Sequence, residues 1–311
     1  MRKIKISCAY AFPICKYGYP PSFPDLEKAL REISAMGYRH CELEGLGPAH
    51  NRHFTTKRKH YLRLADELGL HFHNYCIVDP ALVSPDKARR RKAYELYDSG
   101  CENAAALGAE TIHIATYTPP LRFRKIPYQL KKAYSFDLDY RAEVPRGFDW
   151  QSAWAVLVES CRRAAEAADR HGMDVLVEPR VGEMIAGTDA MLLLLRDVNH
   201  PRLKANFDFA HLMAQKEILS LSWKKLEPHV GGIHVADNDT RTVEHLPIGQ
   251  GKTDWQTMLE LIAASGYDRY LGVDLFVRPA RAVRAFREAR ERLEQMASDF
   301  GLTRRIEVSG R

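Results

Sequence analysis

Short apolar runs recur along the chain, separated by longer stretches in which apolar residues return every three or four positions. The short runs are Ile4 to Ala9, Arg39 to Leu43, His71 to Ile77, Thr111 to Ala115, Asp174 to Glu178, Lys204 to Asp208, Gly232 to Val235 and Tyr270 to Leu275. Their length predicts strands. The longer stretches predict helices. Asp25 to Met36 carries Leu26, Leu30, Ile33 and Met36 close to the helical period, and Ala153 to Arg170 and Trp255 to Ala264 behave alike. Gly37, Gly69, Gly108, Gly172 and Gly266 each precede a strand. A residue that closes a helix often needs a positive φ, which glycine adopts without strain.

Strict alternation of strand and helix predicts a parallel sheet. Eight repeats without a break in composition favour a closed α/β barrel, the (β/α)8 TIM barrel, over an open sheet. The whole chain, 1–311, reads as one domain, with the barrel from about residue 4 to 300 and a short C-terminal tail. Two connections are long. Tyr10 to Ser22 is rich in Tyr and Pro, and Thr116 to Trp150 carries Tyr117, Phe123, Tyr128, Tyr134, Phe136, Tyr140, Phe148 and Trp150. Both come after a strand, so both belong at the C-terminal mouth, where barrel enzymes keep their sites and where long loops act as lids or as dimer contacts.

Composition narrows the picture. The chain has 311 residues, 45% hydrophobic and 28% charged, which supports a large core and excludes intrinsic disorder. The net charge is +6, but the basic residues are spread out. The densest run, Lys87 to Lys92, reads as the solvated face of a helix rather than a polyanion contact. Six cysteines form no CxxC pair, which argues against a disulfide framework and for a cytoplasmic protein. Met1-Arg2-Lys3 resembles a basic leader, yet Pro13 and Lys16 interrupt the apolar stretch beyond it, so a first strand is expected there. No run of about 18 apolar residues predicts a membrane span.

Ionisable residues gather where the strand runs stop. Strand two ends in Glu42-Leu43-Glu44, strand three contains His71-Phe72-His73-Asn74, and strands four to eight bring His113, Glu178, Asp208, His234 and Asp274. A barrel gathers all these ends around one mouth. Several carboxylates in one small volume repel one another unless a cation compensates. Each residue alone has a plainer reading: Asp208 as a helix cap, His234 as a core histidine, Glu42 and Glu44 as ion-pair partners, Arg180 as a counterion for Glu178 or Glu183. Together, an oxygen-rich set with one imidazole suits a divalent metal, Mn²⁺ first, with Mg²⁺, Co²⁺ or Zn²⁺ as alternatives.

The segments around these residues carry a resemblance. Val175 to Pro179, Leu203 to His211, Gly232 to Asp239, His245 to Trp255 and Leu271 to Asp274 resemble the xylose isomerase-like barrel superfamily. That superfamily holds sugar isomerases and epimerases, dehydratases and endonuclease IV. Its pattern is a strand-five Glu, a strand-six Asp followed three residues later by His, a strand-seven His, a GxG loop and a strand-eight acid, all present here in order. The resemblance implies Glu178, Asp208, His234 and Asp274 as metal ligands, with His211 and Arg241 binding substrate. His73 and Arg180 are further expected substrate contacts. The sugar epimerases typically carry Glu on strand eight. Asp274 is one carbon shorter, about 1.5 Å of reach, which weighs against a simple 3-epimerase.

The implied chemistry is proton abstraction next to the carbonyl of a keto-sugar or oxidised sugar. Glu178 is the expected base, and Asp274, His113 or His73 would return the proton, giving isomerisation or epimerisation. Elimination from a 3-oxo-glycoside, with a small partner subunit, is the alternative, and Tyr17 and Tyr19 would then face an aromatic aglycone. An endonuclease IV-like activity needs a carboxylate where Val243 stands and a basic stripe the chain lacks. A barrel that binds metal without catalysis is the remaining reading. The expected partners are a small sugar or glycoside and a second copy of the chain, not nucleic acid or membrane.

Overall fold

The computed structural model describes residues 2–123 and 142–308. Eight parallel strands close into a barrel: β1 (Lys5–Cys8), β2 (His40–Leu46), β3 (His71–Val78), β4 (Thr111–Ile114), β5 (Asp174–Val177), β6 (Leu203–Asp208), β7 (Val230–Val235) and β8 (Tyr270–Val273). Closure comes from β1, which pairs with β8 through Lys5 and Tyr270 on one side and with β2 through Cys8 and Cys41 on the other. Every expected strand is present, each within a few residues of its predicted ends. The tail also packs against the barrel, for Ile306 bridges to Ile4 beside β1.

Helices cover the outside: α1 (Ala11–Tyr17), α2 (Phe23–Ala35), α3 (Gly47–Leu68), α4 (Lys87–Ala106), α5 (Trp150–Asp169), α6 (Thr188–Val198), α7 (Phe209–Ala214), α8 (Leu219–Leu226), α9 (Trp255–Ala264) and α10 (Ala282–Asp299). Their starts are written in the sequence. Ser22, Asp86, Asp149, Asp208 and Asp254 each accept a hydrogen bond from a backbone N–H of the first turn, which satisfies a donor the helix leaves open. Their ends match the glycines: Gly69 sits at φ 61°, and Gly37, Gly108, Gly172 and Gly266 are also positive.

The first long connection is not an open loop. It folds as α1 and buries Phe12 and Ile14. Pro13 disguised it, but Pro13 stands within the first turn, where a helix has no intrahelical use for the missing N–H. In the second, Arg122–Phe123 and Ala142–Glu143 pair as a short antiparallel ribbon. Tyr128, Tyr134, Phe136 and Tyr140 lie outside the described residues, and Trp150 opens α5 partly exposed. The run at Lys87 opens α4, with Lys87, Arg89, Arg91 and Lys92 exposed and Arg90 buried, donating to the Ser84 carbonyl. All six cysteines are free. No helix among the described residues is long and apolar enough to cross a membrane.

Candidate metal centre

The ends of β5, β6, β7 and β8 place four side chains around one buried point. Glu178 comes directly after β5, Asp208 ends β6, His234 is the penultimate residue of β7, and Asp274 comes directly after β8. His234 is the hub. Its Nδ1 lies 2.8 Å from Glu178 Oε2, 3.9 Å from Asp274 Oδ2 and 4.0 Å from Asp208 Oδ2. On its other side, Nε2 lies 3.1 Å from Glu42 Oε1. Glu178 is held from two directions: Oε1 accepts from Arg180 Nε and Nη2, and Oε2 accepts from Asn206 Nδ2 at 2.7 Å. Asp208 has a double part, because Oδ1 caps α7 by accepting from the His211 backbone N–H at 2.6 Å while Oδ2 faces the cluster.

A fifth group arrives from the loop after β7. His245, wholly buried, sets Nε2 3.4 Å from Asp208 Oδ2 and 3.5 Å from Asp274 Oδ2. The GxG motif explains how it gets there. Asp237 accepts from the Gly249 and Thr253 backbone N–H groups, the Thr253 hydroxyl and the Trp255 indole. The loop therefore wraps one carboxylate. Gly249 adopts φ +82°, and a Cβ at Gly251 would collide with Asp237 Oδ1 and the Asn238 backbone, so both positions require glycine.

The charges divide the cluster. Burial opposes ionisation of Glu178, but Arg180 and the His234 and His113 imidazoles outweigh it and hold the carboxyl well below its ordinary range. Asp208 is lowered against the same burial by His245 and His211. Glu42 is likewise buried, yet His234 and His73 draw it down to about 2. Asp274 goes the other way: burial, with the nearby Asp208 and Glu178 charges, raises it to about 6. The His234 imidazole loses hydration on burial, but Glu42 and Glu178 raise it well above its usual value. Such mutual dependence marks functional sites.

Above this point opens a cleft of about 930 Å³, counting space open to solvent, lined among others by Tyr19, Glu44, His113, Arg180, Glu183 and His211. His113 Nε2 stands 3.9 Å and His211 Nε2 3.6 Å from Glu178. Arg180 spans Glu178 and Glu183, and Glu183 Oε2 accepts from the Thr116 and Tyr117 backbone N–H groups. Three expected substrate contacts stand elsewhere. His73 is in the first half of β3, stacked on Tyr270 with ring centres 3.9 Å apart, and borders a small chamber below the mouth. Tyr17 turns to Glu32 rather than into the cleft. Arg241 is exposed on a turn whose N–H groups bond to Asp239.

Three further residues stand at the centre without having been expected as ligands. From sequence Glu42 reads only as an ion-pair partner, and Asn206 and His245 have no expected role, although both lie in segments that carry the resemblance. Asn206 shares a strand face with Asp208, and Glu42 with Glu44, through the two-residue period, whereas loop geometry delivers His245.

The donors suit a small divalent ion. Asp208, His234 and Asp274 offer ligand atoms within 4.8 Å of one another, as do His113, Glu178 and His234, and Asp208, His211 and His245. Ligands about 2.0–2.2 Å from one ion lie within about 4.4 Å of each other. Asp208 Oδ2 is buried yet accepts no aligned hydrogen bond, a costly arrangement for a carboxylate oxygen unless a cation completes it.

Residues 30–296 match the family model described as xylose isomerase-like TIM barrel. Fructoselysine 3-epimerase of Escherichia coli O157:H7 is 27% identical over 145 residues, 46% of this chain and 52% of that protein. Hydroxypyruvate isomerase of E. coli K12 is 26% identical over 137 residues, 42% of this chain and 52% of that protein. The chain spans about half the length of the curated relatives it matches. Among solved structures, a 3-keto-D-glucoside 4-epimerase of E. coli superposes with a TM-score of 0.71 at 17% identity, over 96% of this chain and all of that one. A D-allulose 3-epimerase of Methylomonas sp. gives 0.72 at 15% identity, over 95% and 99%. These two likenesses are of fold. The family match runs from within α2 to within α10, and the chain belongs to the xylose isomerase-like TIM barrel family.

Proposed function

We propose that this protein is a divalent-metal-dependent sugar isomerase or epimerase, with manganese the favoured ion. The observation that carries the reading is the convergence of Glu178, Asp208, His234 and Asp274 from four strand ends on one buried point beneath the cleft. The names of the curated relatives, a fructoselysine 3-epimerase and a hydroxypyruvate isomerase, support it.

Glu178, Asp208, His234 and Asp274 would hold the ion. When bound, a divalent cation supplies polarisation of a substrate carbonyl, which acidifies the adjacent C–H. Glu178 takes that proton. Arg180 and Asn206 keep it ionised and fix its direction, so it acts as a base without first shedding a proton of its own. Asp274, three strands around the ring from β5, would return the proton on another face, and His113 beside Glu178 would serve the same face. His211 and Arg180, both lining the cleft, bind substrate oxygens. Tyr19 closes one wall beside Glu44.

The test is single-turnover NMR in D₂O with Mn²⁺-loaded protein, a panel of keto-sugars and 3-oxo-glycosides, and Glu178→Gln as control. The reading expects deuterium at a carbon beside the carbonyl, lost in the control. Release of an aglycone in the same tubes would move the assignment to elimination. No exchange with any panel member would overturn the sugar reading.

A further inference from the structure

Glu42 lies on β2, far around the ring from β7, and no substrate role falls to it. Its carboxylate and the His234 imidazole are both buried, with Oε1 and Nε2 3.1 Å apart. Buried acceptors do not approach that closely without a proton between them, and Nδ1 stands in the same relation to Glu178 Oε2 at 2.8 Å. A cation held by Glu178, Asp208 and Asp274 would take the place of the Nδ1 proton and leave the Nε2 proton to Glu42. Glu42 Oε2 accepts in turn from the Tyr10 backbone N–H at 3.4 Å, and His73 Nε2 stands 4.0 Å behind Oε1. The adjoining Cδ2 edge of the ring lies against β8: a Cβ on Gly272 would stand 3.0 Å from His234 Cδ2, a tight contact that glycine avoids. The ring thus rests on a bare strand beside a carboxylate.

We infer that Glu42 is a positioning residue for the metal centre: by accepting the His234 Nε2 proton it turns Nδ1 toward Glu178, Asp208 and Asp274. This rests on the reading that those residues hold a divalent ion. It adds that the ion is met by Nδ1, and that β2, not only the four ligand strands, sets the affinity. His73 belongs to the same device. Stacked on Tyr270, it backs Glu42 and closes the barrel beneath it.

The experiment is Mn²⁺ titration of the chelator-stripped full chain by calorimetry, for wild type, Glu42→Ala, Glu42→Gln and Asp208→Ala, with melting curves for each. Loss of a partner behind a ligating histidine weakens metal binding about 10- to 100-fold. That rise in Kd is expected for Glu42→Ala, with Glu42→Gln between it and wild type, since an amide oxygen still accepts. In parallel, ¹⁵N-histidine NMR of the Zn²⁺-loaded wild type should show His234 protonated at Nε2 and metal-bound at Nδ1. A merely structural role would lower the melting temperature of Glu42→Ala and leave Kd within twofold of wild type, which overturns the inference. Metal on Nε2 overturns it too. If Glu42→Ala does not fold, a Glu42→Gln Kd equal to wild type overturns it equally. Wild type that binds no divalent ion, matching Asp208→Ala, overturns the metal reading itself.

Discussion

Replacing Glu44 by glutamine should stabilise the protein at neutral and alkaline pH, although it removes a buried group. Glu44 is buried in the wall of the cleft. Burial raises its carboxyl to about 7 from an ordinary 4.5, with the Glu42 charge adding to the rise and Tyr19 and Arg180 only partly offsetting it. A carboxyl raised on folding keeps its proton longer in the native state. The benefit is full below about 4.5 and is lost as the pH climbs through about 7. At about 1.36 kcal/mol per pH unit, ionising Glu44 in place costs the native state roughly 3 kcal/mol. Glutamine keeps the shape and an acceptor for Tyr19 but never ionises. Urea unfolding of chelator-treated wild type and Glu44→Gln, monitored by circular dichroism from pH 4.5 to 8.5, isolates the effect, because other titrating groups cancel in the difference. The variant should gain progressively on wild type between pH 4.5 and about 7 and then hold its lead. A difference that stays flat across this range would show that Glu44 is not strained by ionisation and would refute the reasoning.

Other perturbations probe the centre and the core. Mn²⁺ at a hundredfold excess over its Kd should add about 2.7 kcal/mol to stability, seen as a raised melting temperature that Asp208→Ala abolishes; an equal shift in that variant would remove Asp208 from the ligand set. Glu178→Gln should slow hydrogen exchange beside the substrate carbonyl by about 10²- to 10⁴-fold, measured in D₂O, and a rate near wild type would pass the base role to Asp274 or His113. Phe207 lies edge-on to both Trp223 and Phe209, with ring centres 5.3 and 5.7 Å apart. Truncating it to alanine should cost about 3–5 kcal/mol in urea titrations read by tryptophan fluorescence, and a loss under about 1 kcal/mol would mean the cavity collapses.

The barrel was legible because its signals are local and repeat. A run of four to eight apolar residues set between longer amphipathic stretches suits a strand in a covered sheet, and each glycine stop falls at a positive φ. The candidate ligands were legible because a charged residue at the end of an apolar run contradicts its surroundings, and Glu178, Asp208, His234 and Asp274 all do so. His73 shows where this logic stops. It breaks the apolar run of β3 just as visibly, but near its start: the run His71 to Ile77 already puts His73 in the lower half of the strand, and the side chain faces the floor. Its place along the strand, which pairs with β2 over seven residues, decides which layer a residue occupies, whatever its chemistry. Arg241 failed to reach the cleft for a related reason: the Asp239 carboxylate ties its turn back on itself.

The aspartate at the end of β8 links the loop glycines to the centre. Measured against a glutamate, Asp274 gives up about 1.5 Å of reach, and sequence alone sets this against a simple 3-epimerase. The structure shows what fills the space. His245 lies within 3.5 Å of both Asp208 and Asp274, and it can do so because Gly249 and Gly251 let its loop fold tightly around Asp237. The His245 backbone carbonyl also accepts from the Phe276 N–H, just past Asp274, so strand end and loop hold each other in register. Reach lost in one side chain is met by a neighbour brought from another segment. The two loop glycines and the shortened acid are therefore one feature: a longer acid at 274 would have to share its volume with the His245 ring, and a bulkier loop would leave Asp274 stranded short of the centre.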